Sequence, residues 1–288
     1  MKWASSASIL LACSLLLMKA VVWHFSRSTS VLASTLDSFM DIGASLISFV
    51  AIRYALQPAD NEHRFGHGKA EALAAFMQSF LIVLSAFFII INGVRKIYSP
   101  HVVEHSEWAI GVMLFAALSS AVLVAFQRYV VKKTGSPAIK ADSVHYETDI
   151  LSSLLVLFAI VLNKWAWPAA DPILALFIAL YLIKEAWGIM TESFNVLMDH
   201  ELEDEDKKEI SDLILSHSGV RGFHDFRSRS GGAKNFIQYH LEFADERISL
   251  KEAHGIGLDL EVKICNAFPN TEILMHFDYE NDEREKHE

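Results

Sequence analysis

Long apolar stretches separated by short polar connectors make up the first 199 residues of the chain. Six of them reach the roughly 20 residues that an α-helix needs to cross a bilayer. They run approximately over 4–25, 29–54, 72–97, 107–131, 142–163 and 171–193. The connectors contain the helix-breaking residues Pro58, Pro100, Gly135, Pro137 and Pro168. This pattern predicts a membrane α-helical bundle of six transmembrane helices over 1–199.

The pattern changes over 200–288, where apolar residues recur at helical or alternating spacing. Residues 203–217 and 249–268 have helical periodicity, whereas 220–229, 235–244 and 271–279 alternate. The turn Ser230-Gly231-Gly232 between the first two alternating segments indicates a hairpin. We therefore predict a separate α+β domain in the order αββαβ, with its helices on one face of a short sheet.

Charge follows the same division of the chain. Residues 1–199 hold 14 basic and 14 acidic residues, whereas 200–288 hold 11 basic and 21 acidic residues, so the net charge of −10 lies in the second domain. Nucleic-acid partners require a basic face and are excluded. The acidic excess suits cations, or serves solubility alone. The two cysteines, Cys13 and Cys265, cannot form a disulfide framework or a thiolate metal cluster.

Lys and Arg are distributed unevenly between alternate connectors. One set of segments holds Lys2, Arg53, Arg64, Lys69, Arg128, Lys132, Lys133 and Lys140. The opposite connectors hold Arg27, Arg95, Lys96 and Lys164. The positive-inside rule then predicts that both termini are cytoplasmic. Lys19 lies near the outer end of the first span, where its long side chain can reach the interface.

Two pairs of ionisable residues interrupt the apolar spans. Asp37 and Asp41 in the second span, and His145 and Asp149 in the fifth, are four residues apart, which puts each pair on one helix face. Ionisable groups inside membrane helices line a pathway or pair with one another. One nitrogen and three oxygen ligands suit tetrahedral Zn²⁺. A transport site for Zn²⁺ or a similar divalent metal is the prediction, and interhelical hydrogen bonds are the alternative.

Two further groups of residues could bind metal. The connector after the second span contains Asp60, His63 and His67. The second domain contains His224, His240, His254, His276 and Asp278 on its predicted strands and helix. His276 and Asp278 are two residues apart and so share one face of a strand. Ordinary polar-loop and core histidines are the alternative for both groups.

Several enzyme classes lack their motifs in this chain. A His-Glu-x-x-His helix and a phosphate-binding Gly-rich loop are both missing, which argues against a zinc protease and an ATP-driven pump. An intramembrane metal hydrolase would need an open ligand position. Four protein ligands close the shell, so we expect a transporter and not an enzyme.

The motifs occur in an order that resembles the cation diffusion facilitator family, close to its bacterial zinc and ferrous-iron efflux members. They are Asp37-x-x-x-Asp41, His63-Arg-Phe-Gly-His67-Gly-Lys69, His145-x-x-x-Asp149, Gly222-Phe-His224-Asp-Phe-Arg227 and Phe236-Ile-Gln-Tyr-His240. The resemblance implies a homodimer in the bacterial inner membrane. It further implies a cytoplasmic metallochaperone-like domain and the exchange of cytoplasmic metal for protons by alternating access.

The resemblance also assigns roles to individual positions. It implies a transport site at Asp37, Asp41, His145 and Asp149, and an inner-loop site at Asp60, His63 and His67. It implies a binuclear site in the second domain at His224, His240, His254, His276 and Asp278. It pairs Lys69 with Asp199 at the dimer interface. Phe277 departs from the pattern, because close relatives carry Gln there.

The identity of the metal stays open at this point. A histidine ligand favours Zn²⁺ or Cd²⁺ over Mn²⁺, which prefers oxygen ligands. Fe²⁺, Cd²⁺ and Mn²⁺ remain alternatives to Zn²⁺ as the main substrate. An uncoupled metal channel or receptor is the alternative mechanism.

Overall fold

The structure is a computed structural model. It describes residues 1–26, 29–98, 107–163, 170–232, 234–245 and 247–278. The predicted connectors that hold Pro100 and Pro168, and the basic residues Arg27 and Lys164, lie outside the described residues. The chain forms two compact units. The first consists of Met1–Asp60 and Lys69–Phe194, and the second of Asn61–Gly68 and Asn195–Glu288.

The first unit is built from six long helices, in agreement with the predicted fold class. They are α1 (Lys2–Ser26), α2 (Thr29–Ala55), α3 (Lys69–Tyr98), α4 (Glu107–Thr134), α5 (Pro137–Asn163) and α6 (Ala170–Leu197). Within the described residues, five of these helices are long and apolar enough to cross a membrane, and α5 is the exception. The first half of α5 carries Lys140, Asp142, Glu147 and Asp149, which lower its mean hydropathy.

The start of α5 differs from the sequence prediction, which treated Pro137 as part of a connector. Pro137 is instead the first residue of the helix. Proline is well accommodated there because its fixed φ is helical and its missing N–H would have no helical partner. The Ser136 hydroxyl accepts a hydrogen bond from the Ile139 N–H at 3.4 Å, which caps the helix. The helix therefore begins earlier than periodicity alone indicated.

Small residues line the main core of the first unit, which joins α3, α5 and α6. Five alanines are buried in it together with larger aliphatic side chains. The set comprises Ala75, Ile82, Ala86, Ala141, Val144, Ala179, Leu182, Ala186 and Ile189. Small side chains let helix backbones approach closely, which is how membrane helices associate without a hydrophobic driving force. Large apolar groups such as Val122 and Phe177 remain exposed, as lipid-facing side chains do.

The second unit has the predicted order of helices and strands. Its elements are α7 (Asp204–Leu215), β1 (Val220–Ser230), β2 (Asn235–Phe243), α8 (Leu250–Ala267) and β3 (Thr271–Asp278). The sheet order is β1-β2-β3, with β1 antiparallel to β2 and β2 parallel to β3. A parallel pair needs a crossover connection, and α8 supplies it. Buried apolar side chains from α7, β2 and α8 form the core, including Ile210, Leu241 and Leu260.

A capping box begins α8. The Ser249 side chain accepts a hydrogen bond from the Glu252 N–H, and the Glu252 carboxylate accepts one from the Ser249 N–H at 3.1 Å. The Ser249 hydroxyl, which donates to the Glu252 carboxylate at 2.6 Å, and the Ser249 N–H together lower the pKa of Glu252. The first turn of α8 is therefore held by two reciprocal bonds that the Ser-x-x-Glu sequence favours.

Replacement of Ser249 by alanine should loosen the first turn of α8. We expect Ser249→Ala to lower the free energy of opening of that turn by about 1 kcal/mol, because an orphan N–H loses its acceptor. Hydrogen–deuterium exchange of the α8 amides measures this change. Ser211→Ala, inside α7, is the control and should leave α7 protected, because alanine favours helix. Equal protection of α8 in Ser249→Ala and the unmodified chain would contradict the prediction.

Candidate metal centre

Three of the four predicted transport-site residues meet between α2 and α5. The Nε2 atom of His145 lies 3.2 Å from Oδ1 of Asp41. One ligand atom from each of Asp41, His145 and Asp149 lies within 4.8 Å of the others. The side chains of His145 and Asp41 are only 12 % and 15 % exposed. The side chain of Asp37 lies outside the described residues, so its part in this cluster stays a prediction.

Polar contacts next to the cluster join α2 to α5. The hydroxyl groups of Ser45 and Tyr146 lie 2.9 Å apart, and both side chains are buried. Further along the same two helices, the Ser48 hydroxyl donates to the Ala138 carbonyl at 3.3 Å. Gln78 of α3 donates to Ser48 at 2.7 Å. These bonds hold α2 against α5, and the position of Asp41 relative to His145 follows from them.

Asp142 is a buried carboxylate that the sequence reasoning did not single out. It is 1 % exposed and lies three residues before His145 on α5. Its Oδ2 atom accepts hydrogen bonds at 2.6 Å from both the Ser8 hydroxyl of α1 and the Gln127 amide of α4. The i, i+3 spacing from His145 was the signal available in the sequence. Asp142 joins α1 and α4 to the helix that carries the candidate ligands His145 and Asp149.

The cluster has the chemistry of a divalent-cation site. It offers an imidazole nitrogen and carboxylate oxygens, which are ligands that Zn²⁺ accepts. Carboxylates held close together repel one another unless a cation or a proton balances their charge. Metal binding requires deprotonated ligands, so a metal ion and protons compete for such a site.

The second unit holds a row of histidines across its sheet. His224 on β1 pairs in register with His240 on β2, and His240 pairs with His276 on β3. The ring centroids of the first pair are 5.0 Å apart and those of the second pair 4.8 Å apart. Strand register therefore brings together three side chains that are far apart in the sequence.

Asp278 lies against all three histidines of this row. Its Oδ2 atom is 2.8 Å from His240 Nδ1 and 3.1 Å from His224 Nε2, and its Oδ1 atom is 3.1 Å from His276 Nε2. The Asp278 side chain is only 8 % exposed, which limits competition from water. Both carboxylate oxygens thus face imidazole nitrogens, an arrangement in which a carboxylate can bridge two ions.

Ligand atoms in this region form two overlapping triads, each within 4.8 Å: His224 with Asp225 and His240, and His240 with His276 and Asp278. Asp225 is a member that the sequence reasoning missed. It has φ of +48° and lies where the β1–β2 register shifts, so a bulge places its side chain beside His224. His254 is exposed on α8 and belongs to neither triad.

The Phe277 side chain lies on the opposite face of β3 from the histidine row. Its ring packs edge-to-face on Phe243 with centroids 5.3 Å apart. A Cβ atom on Gly257 of α8 would lie 3.1 Å from the Phe277 ring, so the helix approaches this side chain closely. Alternate residues of a strand point to opposite faces. Phe277 therefore belongs to the core, whereas its neighbours His276 and Asp278 belong to the candidate metal site.

The histidines of the inner loop also lie in the second unit. The rings of His63 and His67 have centroids 4.7 Å apart, and His67 is buried. Phe65 between them packs edge-to-face on Phe236 of β2 at 5.4 Å. Asp60 is exposed and belongs to the first unit. A three-residue site at Asp60, His63 and His67 stays a prediction.

The predicted dimer interlock involves residues of different units. Lys69 begins α3 in the first unit, and Asp199 follows α6 in the second. The Oδ1 atom of Asp199 accepts a hydrogen bond from Nη1 of Arg229 at 3.1 Å. The Arg229 guanidinium also lies over the Phe236 ring, 4.6 Å from its centroid. The Lys69–Asp199 interlock stays a prediction.

Comparison with known proteins gives matches over nearly the whole chain. Residues 5–198 match the model of the cation efflux transmembrane domain, and residues 202–280 match that of the cation efflux protein cytoplasmic domain. This chain belongs to the cation efflux family, also called the cation diffusion facilitators. It is accordingly a membrane transporter of cations and not an enzyme, as the sequence predicted.

Several named members of the cation efflux family are similar to it. The cation-efflux pump FieF of Serratia proteamaculans (strain 568) is 41 % identical over 277 residues, which cover 96 % of this chain and 92 % of that protein. FieF of Salmonella choleraesuis (strain SC-B67) and FieF of Klebsiella pneumoniae are each 40 % identical over 275 residues, which cover 96 % of this chain and 91 % of theirs. The similarity therefore extends over both units of this cation efflux transporter.

The overlap of the two triads provides a test of the candidate metal site in the second unit. If the second unit binds Zn²⁺ at this candidate site, we expect His240→Ala to abolish that binding, because His240 belongs to both triads. His254→Ala replaces an exposed histidine outside the triads and should retain that Zn²⁺. Zn²⁺ per chain, measured by elemental analysis of the full-length protein after equilibrium dialysis, compares the two variants. Loss of the same amount of Zn²⁺ in His254→Ala would restore His254 as a ligand and contradict the prediction.

Proposed function

We propose that this cation efflux transporter exports Zn²⁺ from the cytoplasm in exchange for protons by alternating access. The observation that carries the proposal is the convergence of Asp41, His145 and Asp149 within 4.8 Å inside the helical bundle. Asp37 precedes Asp41 by one turn of α2, and we propose it as the fourth ligand, which would give a set of one nitrogen and three oxygens.

Exchange follows from competition for the same ligands. Zn²⁺ binds only deprotonated carboxylates and a neutral imidazole, so binding on the cytoplasmic side releases protons. When the site faces the opposite side, protons bind the ligands again and displace the metal. His145 supplies the side-chain type that changes charge closest to neutral pH. The mechanism needs no covalent intermediate and no nucleotide.

Zn²⁺ is the proposed main substrate because the ligands include an imidazole. Imidazole nitrogen suits Zn²⁺, Cd²⁺ and Fe²⁺ better than Mn²⁺, which prefers oxygen. The relatives are named as cation-efflux pumps, and their name leaves the metal open. Fe²⁺ and Cd²⁺ are therefore the alternative substrates, and the same exchange mechanism would serve them.

The second unit is proposed as a cytoplasmic metal-binding and dimerisation domain. The proposal is supported by the contacts of three histidines with Asp278 and by the acidic excess of 200–288. Zn²⁺ bound there would offset repulsion between acidic subunits and favour a closed homodimer. The excess of Lys and Arg in alternate connectors supports cytoplasmic termini, and the FieF relatives support the bacterial inner membrane as the location.

Removal of one transport-site carboxylate should abolish transport. We expect Asp41→Ala and Asp149→Ala each to reduce Zn²⁺ flux to background in proteoliposomes, because the remaining ligands cannot complete the metal's shell. Asp212→Ala, which removes an exposed carboxylate from α7, is the control and should keep full flux. Wild-type flux in either site variant would contradict the assignment of Asp41 and Asp149 to the transport site.

Dependence on the pH gradient should separate exchange from channel conduction. With Zn²⁺ equal on both sides, an outward Zn²⁺ flux should appear when the acidic side is opposite the cytoplasmic face, and reverse when the gradient is reversed. A fluorescent Zn²⁺ indicator inside proteoliposomes measures this flux, and an added protonophore is the control. A channel or receptor without proton coupling would give no net flux under these conditions.

A further inference from the structure

Lys19 places a positive charge inside the first unit, close to the transport site. It belongs to α1, within the apolar window Lys2–Phe25. Its ammonium donates a hydrogen bond of 2.6 Å to the hydroxyl of Ser38 on α2. Ser38 is 1 % exposed, so the ammonium reaches into the bundle instead of extending to the interface as the sequence suggested.

The anchor point of Lys19 lies on the ligand-bearing part of α2. Ser38 directly follows Asp37 and precedes Asp41 by three residues. Residues three apart on a helix are neighbours, with Cβ atoms about 5–6 Å apart. Asp41 in turn contacts His145 at 3.2 Å. The bond to Ser38 therefore fixes the ammonium within one helical turn of the predicted metal ligands.

A fixed charge at this position acts on the metal and on the carboxylates in opposite directions. It repels a divalent cation in the site, and it attracts the carboxylates when the metal is absent. Both effects are strong where the effective dielectric constant is about 20 instead of 80. The charge consequently favours metal release and reduces the repulsion between the carboxylates of the metal-free site.

We propose that Lys19 is the resident counter-charge of the metal-free transport site and lowers its Zn²⁺ affinity enough for rapid release. This inference rests on the proposed function of the Asp41–His145–Asp149 cluster. It assigns Lys19 a tuning role without direct contact with the metal. The role depends on the charge of the side chain and not on its hydrogen bond to Ser38.

Three substitutions of Lys19 separate charge from hydrogen bonding. Lys19→Arg keeps the charge and the donors, Lys19→Gln keeps a donor without charge, and Lys19→Met removes both. Initial Zn²⁺ flux into proteoliposomes, measured over a range of Zn²⁺ concentrations, gives KM and the maximal rate for each variant. Gel filtration of the full chain confirms that each variant is folded.

We expect Lys19→Gln and Lys19→Met both to lower KM about tenfold and to reduce the maximal rate, because Zn²⁺ binds more tightly and leaves more slowly. Lys19→Arg should stay close to the unmodified KM. A purely structural role would reduce the maximal rate without lowering KM. If Lys19→Gln had the KM of the unmodified chain and only Lys19→Met lost activity, the hydrogen bond and not the charge would be important, and the inference would be overturned.

Asp41→Ala, measured in the same assay, distinguishes failure of this inference from failure of the proposed function. Flux that survives Asp41→Ala overturns both. If Asp41→Ala abolishes flux, but Lys19→Gln and Lys19→Met leave KM unchanged, only the role of Lys19 is overturned.

Discussion

Charge balance inside an apolar helical bundle is the constraint on which the first unit depends. Carboxylates removed from water repel one another and lose their hydration, so each needs a hydrogen-bond donor, a positive charge, a proton or a metal ion. Asp142 is satisfied by Ser8 and Gln127, both at 2.6 Å. Asp41 faces His145, whose imidazole ring can also bind a metal ion. Hydrogen-bond donors thus stabilise Asp142, whereas Asp41 faces a group that can share a cation with it.

The polar contacts of α5 explain why the ligand cluster is well defined. Tyr146 next to His145 contacts Ser45 of α2 and donates to the Ser8 carbonyl of α1 at 3.0 Å. In an interior of low dielectric such bonds are strong, and a broken one leaves an unsatisfied group. Buried alanines pack α5 against α3 and α6, and the Tyr181 hydroxyl of α6 donates a hydrogen bond to Glu147 of α5 at 3.4 Å. Polar contacts therefore hold α5 on several sides, which fixes the position of His145 relative to Asp41.

In the second unit, a β-sheet brings the candidate ligands together. Three adjacent strands in register present His224, His240 and His276 in one row, and the buried carboxylate of Asp278 contacts all of them. The other face of the sheet packs on α7 and α8. Phe277 belongs to that face, so its side chain contributes to the core and leaves the side chains of the histidine row in place. Its tight contact with Gly257 couples the position of α8 to β3.

The sequence by itself determined the elements and the division into a membrane bundle and an αββαβ domain, because hydrophobic periodicity depends on local geometry. It also indicated the i, i+4 pairs, since four residues make about one helical turn. The start of α5 at Pro137 was missed because proline marks both connectors and first helical turns. Only the tertiary structure decided which faces meet: it joined Asp41 to His145, excluded His254 from the triads, added Asp225 through a bulge, and turned Lys19 inward to Ser38. These contacts depend on helix packing and strand register, which bring together residues far apart in the chain and which no local pattern encodes.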